Sequence, residues 1–528
     1  MSPTEGWADV NKVLLQGLSG QYGLCGKDFT DDRLEQALDY LSEETTWLAI
    51  SNDLNSRGLS VYQWESYSTV RLDAAPMQGH HQVKEGGLFQ YGYSKHHNGN
   101  LGQFKVKLGN LDHGLHGLGY PLAHLVVSGE QADDTLYLPI IDQCEATLAH
   151  AGHVARKLYV GDGKMGSKQI RDYIVLSGND YLVPLSETQL SSAQRVAAIE
   201  SVDASGYQKV YKTDPKGHEH LVAQGFERVV TRSYIDQQGK EKQYAERQIF
   251  ILSSAYAHSA RKALDRRVDK AVEILEQLLI PKKGKQLPKT EEELTQKIAD
   301  MLASKRIKGL IEVKITAQEH RRTVRAYKQR PAREEISWTF EMEIQRDHQA
   351  IEARKQTLGW QVYATNAASE RLSLEACVWK YRAQNRVESR FNDLRNKVVP
   401  LLPVFLKKDH RIEALVHLLM ICLKICAGIE YKIAHQLSQD KQKLDQIFEG
   451  NPKKSTATPT AKRILNQFKG ISIVIIALNT PQDTQVIMTP LLEIQSKILD
   501  LCGWNDQIYL ELAHKIHFCL ARQKISEN

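Results

Sequence analysis

The chain is poor in the groups that build several common chemistries. It has seven cysteines in 528 residues: Cys25, Cys144, Cys377, Cys422, Cys426, Cys502 and Cys519. The number is odd, the spacing wide and no CxxC occurs, which points away from a disulfide framework or a cysteine zinc site and toward a reducing compartment. No GxSxG motif is present. The opening residues MSPTEGWADVNK lack the basic-then-apolar pattern of a secretory signal. The longest apolar run, residues 415–429, contains His417 and Lys424 and is too short to span a bilayer, so a buried helix is expected. Internal repeats and low-complexity tracts are also missing. A cytoplasmic protein is the expectation.

Length and charge set the remaining bounds. The chain exceeds one typical hydrophobic core, so several domains are expected. The composition is 42% hydrophobic and 25% charged, that of an ordinary globular protein. Net charge is +6, which is mildly basic. Distribution says more: residues 305–333 hold ten basic side chains against two acidic ones. A run of this kind serves either as a solvated face or as a contact for phosphates.

Periodicity divides the chain. Residues 1–66 read as helical, with Leu34, Leu38 and Leu41 at helical spacing behind Thr30 or Asp31 as N-cap. From residue 67 the period changes to two. STVRLD, GQFKVKL and PLAHLVVS read as three strands, the first two alternating as half-buried strands do. A helix over residues 133–150, the strand KLYVGDG, a helix from about Ser167 and the strand DYLVPL complete residues 67–189 as an α/β core. Residues 190–355 change character, with a polar hairpin, a charged helix, a Lys/Pro linker and the basic run; they read as an insertion. The α/β pattern resumes over residues 356–400, where GWQVYATN precedes one long helix from Ser373 to a stop at Pro400. Residues 401–528 are again mainly helical.

On that long helix, YRAQNRVESRFNDLR sets Tyr381, Gln384, Glu388 and Arg395 on one face, with Val387, Phe391 and Leu394 as an apolar stripe beside it. Asp73 and Asp162 each end a strand, where open α/β sheets place their sites. Two such carboxylates on neighbouring parallel strands repel unless a cation lies between them. Hard oxygen ligands suit Mg²⁺ or Mn²⁺. With Glu388, three carboxylates can hold two such ions about 4 Å apart for phosphodiester cleavage. The bland alternative makes each aspartate an ordinary turn residue at a strand end.

Other motifs carry less. GDGKMGS matches GxGxxG, but no first βαβ unit precedes it and no acidic residue follows at the spacing dinucleotide binding needs. His80, His81, His96, His97, His113 and His116 fall on loops and read as surface or hydrogen-bonded histidines. Trp360 stands twenty-eight residues before Glu388; it is either a core residue or an aromatic platform for an unpaired base.

Taken together, these motifs resemble the DDE transposases of bacterial insertion sequences, in the superfamily marked by a Y-x2-R-x3-E-x6-K signature. The signature falls on Tyr381, Gln384, Glu388 and Arg395. VRLDAAP and YVGDGKMGS resemble the first- and second-aspartate strands, and FTDDRLEQALDYL and TPLLEIQSKILDLCGW fit near the two ends. The resemblance implies an RNase H-like mixed-sheet core interrupted by an α+β insertion. It implies Mg²⁺-dependent cleavage at transposon terminal repeats and transfer of the 3′-OH end into target DNA, by a homodimer on double-stranded DNA. Carried over by position, Asp73, Asp162 and Glu388 become catalytic metal ligands. Tyr381 and Arg395 become phosphate contacts, with Gln384 and Arg386 beside them. Trp360 becomes a base-stacking residue, and Arg321, Arg322 and Arg325 of the basic run are expected on DNA. Two departures stand out. Gln384 replaces the signature arginine and removes a charge, for which Arg382 or Arg386 are candidate substitutes. Arg395 replaces the lysine, keeping charge and changing geometry. The alternatives are a domesticated, non-catalytic DNA-binding protein and an RNase H-like nuclease that never joins ends.

Overall fold

The computed structural model describes residues 3–515 apart from 22, 63–66, 93–99, 113–118, 215, 237, 282–286, 325–332, 477–484, 510 and 513. It is an α/β protein built on one nine-stranded mixed sheet.

Four helices come first: α1 (Pro3–Val10), α2 (Lys12–Ser19), α3 (Asp31–Ser42) and α4 (Glu44–Ser60). The expected helix at α3 is present, though Thr30 makes no side-chain cap. Strands β1 (Ser68–Gly79), β2 (Gly102–Asp112) and β3 (Tyr120–Ser128) follow as an antiparallel meander. Then come α5 (Tyr137–His150), β4 (Lys157–Val160), α6 (Lys168–Leu176) and β5 (Asp180–Pro184). β4 lies parallel to both β1 and β5. Ser167 caps α6 by accepting from the Ile170 amide. The order across this part of the sheet is β3-β2-β1-β4-β5.

The next segment departs from the sequence reading. After α7 (Ser192–Glu200), strands β6 (Gln208–Thr213), β7 (Glu219–Ile235) and β8 (Glu241–Ser253) extend the core sheet instead of forming a module of their own. Two helices, α8 (Ser254–Glu276) and α9 (Glu291–Ser304), pack against a hairpin of β9 (Ile311–Val324) and β10 (Arg333–Arg346) around Leu264, Val268, Leu294 and Ile298. Helix α10 (His348–Thr357) leads back to β11 (Trp360–Thr365), which bridges β5 and β8 and so stitches β6–β8 onto the core.

The single long helix expected after Ser373 is broken. α11 (Leu374–Arg382) starts at Ser373, whose hydroxyl accepts from the Ala376 amide at 3.1 Å. It stops at Ala383, and α12 (Asn385–Asn392) begins a new helix that ends in a π turn at Asp393–Lys397. The apolar stripe is where expected: Val387, Phe391 and Leu394 are all buried. The chain ends in α13 (Asp409–Gln439), α14 (Ala461–Gln467), the hairpin β12 (Ile473–Ile476) and β13 (Gln485–Met488), and α15 (Glu493–Leu501).

Three layers result. β1 shows why: Val70 and Leu72 face α5 and α6, joining Tyr137, Ile140 and Ile174. Ala75 and Met77, of opposite parity, meet α12 and α13 at Val387, Phe391, Val416 and Met420. Each fully buried aliphatic or aromatic side chain of this kind contributes about 1.5–3 kcal/mol. α5 approaches β2 closely at Gly109, where a Cβ would stand 2.2 Å from Cys144 Sγ. α13 is long and apolar enough by length and composition to cross a bilayer, yet it buries Ile412, Val416, Met420 and Leu423 in this core. Six cysteines are free thiols, and Cys519 lies outside the described residues.

Candidate active site

Asp73 and Asp162 occupy matching places. The parallel register pairs Arg71 of β1 with Val160 of β4, and each aspartate stands two residues further along. Asp73 shares the parity of Ala75 and Met77, the side of the sheet on which α12 packs. Its Oδ1 accepts from the Ala74 amide at 2.8 Å. Asp162 opens the turn into α6. Its Oδ1 accepts from the Tyr137 hydroxyl at 2.6 Å and from the amides of Lys164 at 3.0 Å and Met165 at 3.4 Å. Among the described residues these donors all converge on one oxygen, so Oδ2 has no donor. Asp162 is thus a turn residue, as the bland reading has it, with half of its carboxylate still available to a ligand.

Glu388 sits on α12, exposed. Although the helix break separates Tyr381 from Glu388, the tyrosine still feels all three carboxylates. Burial pushes its phenol up to about 12, and the charges of Asp162, Asp73 and Glu388 add to the shift. Its ring lies 4.5 Å from that of Tyr363. Arg395, in the π turn, donates from Nη2 to Pro76 O at 3.2 Å. Burial draws its guanidinium down while Asp73 holds it charged. Tyr381 and Arg395 therefore stand near the aspartates on two different pieces of backbone, and the charge of Glu388 reaches Tyr381 from a third.

Gln384 is used otherwise. Its Nε2 donates to Leu72 O at 3.1 Å, and Arg71 Nη1 approaches its Oε1 at 3.5 Å and Lys380 O at 2.6 Å. Gln384 ties the α11–α12 break to β1, and a fixed guanidinium, Arg71, already fills the space behind it. Neither proposed substitute is available. Arg386 is ion-paired to Asp112, which also pairs with Arg71 at 2.5 Å; the two arginines hold the Asp112 carboxyl below the usual range against its burial. Arg382 donates to Val222 O at 3.0 Å and Ser253 Oγ at 3.2 Å. Arg386, expected on DNA, is thus engaged by Asp112 at the end of β2.

Trp360 starts β11, antiparallel to β5, on the side of the sheet where β4 and β5 end. It is partly buried, with ring centroids 5.5 Å from Tyr207 and 5.9 Å from Phe226, so packing is its visible role. Arg321 and Arg322 are exposed on β9, a strand whose register sets acidic residues opposite its bases: Glu343 opposite Lys314, and Glu335 opposite Arg322. Arg321 also pairs with Glu319. Arg321 is thus paired and Lys314 stands across from an acid, which offsets part of the charge of the run. Arg325 lies outside the described residues, as do His96, His97, His113 and His116. His81 bonds Leu406 O at 2.9 Å and stacks on Phe89.

The oxygen donors suit Mg²⁺ or Mn²⁺, and the spare oxygen of Asp162 beside Asp73 fits such an ion. Among the described residues, however, no three acidic, histidine or cysteine side chains converge into a ready cage. Glu388 stands apart from the aspartates, as mutual repulsion of three carboxylates favours. Beyond Arg395 a groove of about 880 Å³ opens, lined by His80, His81, Lys84 and Lys407.

Two residues near the site escaped the sequence reading: Tyr137, which orients Asp162, and Lys107, which lies against Tyr137. The alternation of GQFKVKL marked Lys107 for a solvated face, whereas α5 covers it. Comparison of the chain with protein-family models and with curated protein sequences finds no match.

Proposed function

We propose that this chain is a DDE-type DNA transposase with an RNase H-like core, which cuts DNA at the ends of its element and joins the freed 3′-OH to target DNA. One observation carries the reading: Asp73 and Asp162 stand at matching positions of adjacent parallel strands, each two residues past the last paired position Arg71–Val160, and Glu388 comes from a helix packed over β1, all three bearing on Tyr381. The mixed sheet order β3-β2-β1-β4-β5 supports the RNase H-like core. The order of the sequence motifs supports the transposase family.

Asp73 and Asp162 would hold Mg²⁺ or Mn²⁺, with Glu388 closing on the site as the third ligand. When bound, the ion supplies Lewis acidity for phosphodiester chemistry. The chain's own groups do the rest. Tyr137 and two backbone amides fix the Asp162 carboxylate. Tyr381 stays protonated at neutral pH and can donate to a phosphate oxygen. Arg395 stands between the aspartates and the basic groove, placed to grip the backbone of an incoming DNA end. A dimer on double-stranded terminal repeats, acting in the cytoplasm, completes the proposal.

The test is a purified-protein assay with Mg²⁺ and the inverted repeats flanking the coding region. Wild type is expected to nick the repeat end and to join a pre-cut 3′-OH end to plasmid target. Wild type giving no nicking above the background of Asp73→Asn would leave a DNA-binding protein without catalysis. Cleavage with no joining would leave a nuclease.

A further inference from the structure

Strand β2 carries a lysine where its surroundings call for an apolar residue. Phe104, Val106 and Leu108 point to the α12–α13 side, so Lys107 points to the α5 side. There it is fully buried, and its Nζ has no hydrogen-bond partner among the described residues. The ammonium lies 3.2 Å from the centroid of the Tyr137 ring, whose hydroxyl donates to Asp162. The register sets Lys107 opposite Ala74, the residue after Asp73.

A buried ammonium without hydrogen bonds is costly, and a ring face offsets only part of that cost. The remainder must come from charge. The carboxylates nearest in effect are those of Asp162, Asp73 and Asp133, while Lys164 opposes them. Asp133 is already engaged by Lys105 at 2.8 Å and Lys164 at 2.6 Å. The aspartate pair is what remains for Lys107. Burial pushes its amine down to about 8 and the carboxylates pull it back, so the group is mostly charged at neutral pH.

We propose that Lys107 is a resident counter-cation for Asp73 and Asp162: from beneath the sheet its charge offsets their repulsion, keeps the pair together before a divalent ion arrives, and weakens the affinity for that ion. Lys107 is a positioning residue, acting through Tyr137 and the two carboxylates. The inference rests on the reading of this pair as metal ligands.

The test is calorimetric titration of Mn²⁺ into the full chain without DNA. Lys107→Met, which keeps length and removes charge, is expected to bind Mn²⁺ about ten-fold more tightly or better. Lys107→Arg, which keeps charge, is expected to stay within about three-fold of wild type. Lys107→Gln serves as a second neutral variant if Lys107→Met does not fold, with the same expectation. Asp162→Asn is expected to remove the binding. Equal or weaker binding by the neutral variants, with Asp162→Asn still abolishing it, overturns the proposal and leaves the metal-site reading standing. Mn²⁺ binding that survives Asp162→Asn, or is absent from wild type and neutral variants alike, overturns both.

Discussion

Arg390 donates from Nη2 to Glu430 Oε2 at 2.7 Å, with both side chains almost fully buried. The same guanidinium donates twice to Gly119 O, at 2.9 and 3.1 Å, and Glu430 Oε1 accepts from the Ala461 amide at 2.7 Å. This one pair joins the helix of Glu388 to the start of β3, to α13 and to the start of α14.

Removing one partner strands a buried charge, so Arg390→Met should cost about 3–5 kcal/mol of stability. Urea denaturation measures it. The double variant Arg390→Met, Glu430→Met should recover part of the loss, because no uncompensated charge remains. If the single variant costs under about 1 kcal/mol, the pair does not hold α12 in place.

A second buried pair makes stability depend on pH. His124 Nε2 and His417 Nδ1 are 2.8 Å apart, and Trp47 stacks on the His417 ring at 4.2 Å. Burial lowers His417 to about 4 and His124 well below its ordinary value, with the charge of Lys424 adding to both. The folded state therefore holds both rings neutral, while the unfolded chain takes up protons below about 6.5. Stability is full above that pH and is lost as pH falls toward 4. The His417 contribution should reach about 2 kcal/mol at pH 5 relative to pH 7.5. Urea midpoints of wild type and His417→Gln across this range test it; parallel curves for the two proteins would refute the assignment.

Placing at Gln384 the arginine of the signature that this chain resembles should not strengthen DNA binding. The side chain would meet Arg71, which already reaches the Gln384 amide oxygen. Gln384→Arg is expected to lose about 1–2 kcal/mol from like-charge contact and from the lost bond to Leu72 O. DNA affinity should not rise. Tighter binding with unchanged melting temperature would show that residue 384 faces DNA after all.

The two sets of candidate DNA-binding arginines should separate by salt dependence. Arg395 borders a basic groove, whereas Arg321 is matched by Glu319. Arg395→Ala should weaken binding to terminal-repeat DNA and reduce the salt slope by about 1, while Arg321→Ala should change it by much less. Fluorescence anisotropy over a salt series reads both. The reverse ranking would move the DNA path onto the β9–β10 hairpin.

Much of the site was legible from local pattern, because the signals involved are local. Alternation placed Asp73 on a strand, though β1 runs on past it to Gly79 because β2 keeps pairing there, and the turn residues of GDGKMGS placed Asp162 just after the end of the next one. Ser373 marked a helix start by its capping hydroxyl, and Val387, Phe391 and Leu394 marked the buried stripe beside Glu388. Each of these depends on neighbours a few residues away.

Tertiary structure decided what hangs on distant partners. The break after Ala383 follows from Gln384 and Lys380 bonding to β1, some three hundred residues upstream. The pairing of β8 with β11, which merges β6–β8 with the core sheet, joins strands separated by α8, α9 and the β9–β10 hairpin. Arg386 meets Asp112 of β2, and Lys107 is sealed by α5 against Tyr137. Periodicity assigns a side chain to a face; whether that face meets water, a helix or a charge is settled only when remote segments pack, since burial and ion pairing depend on distance in space.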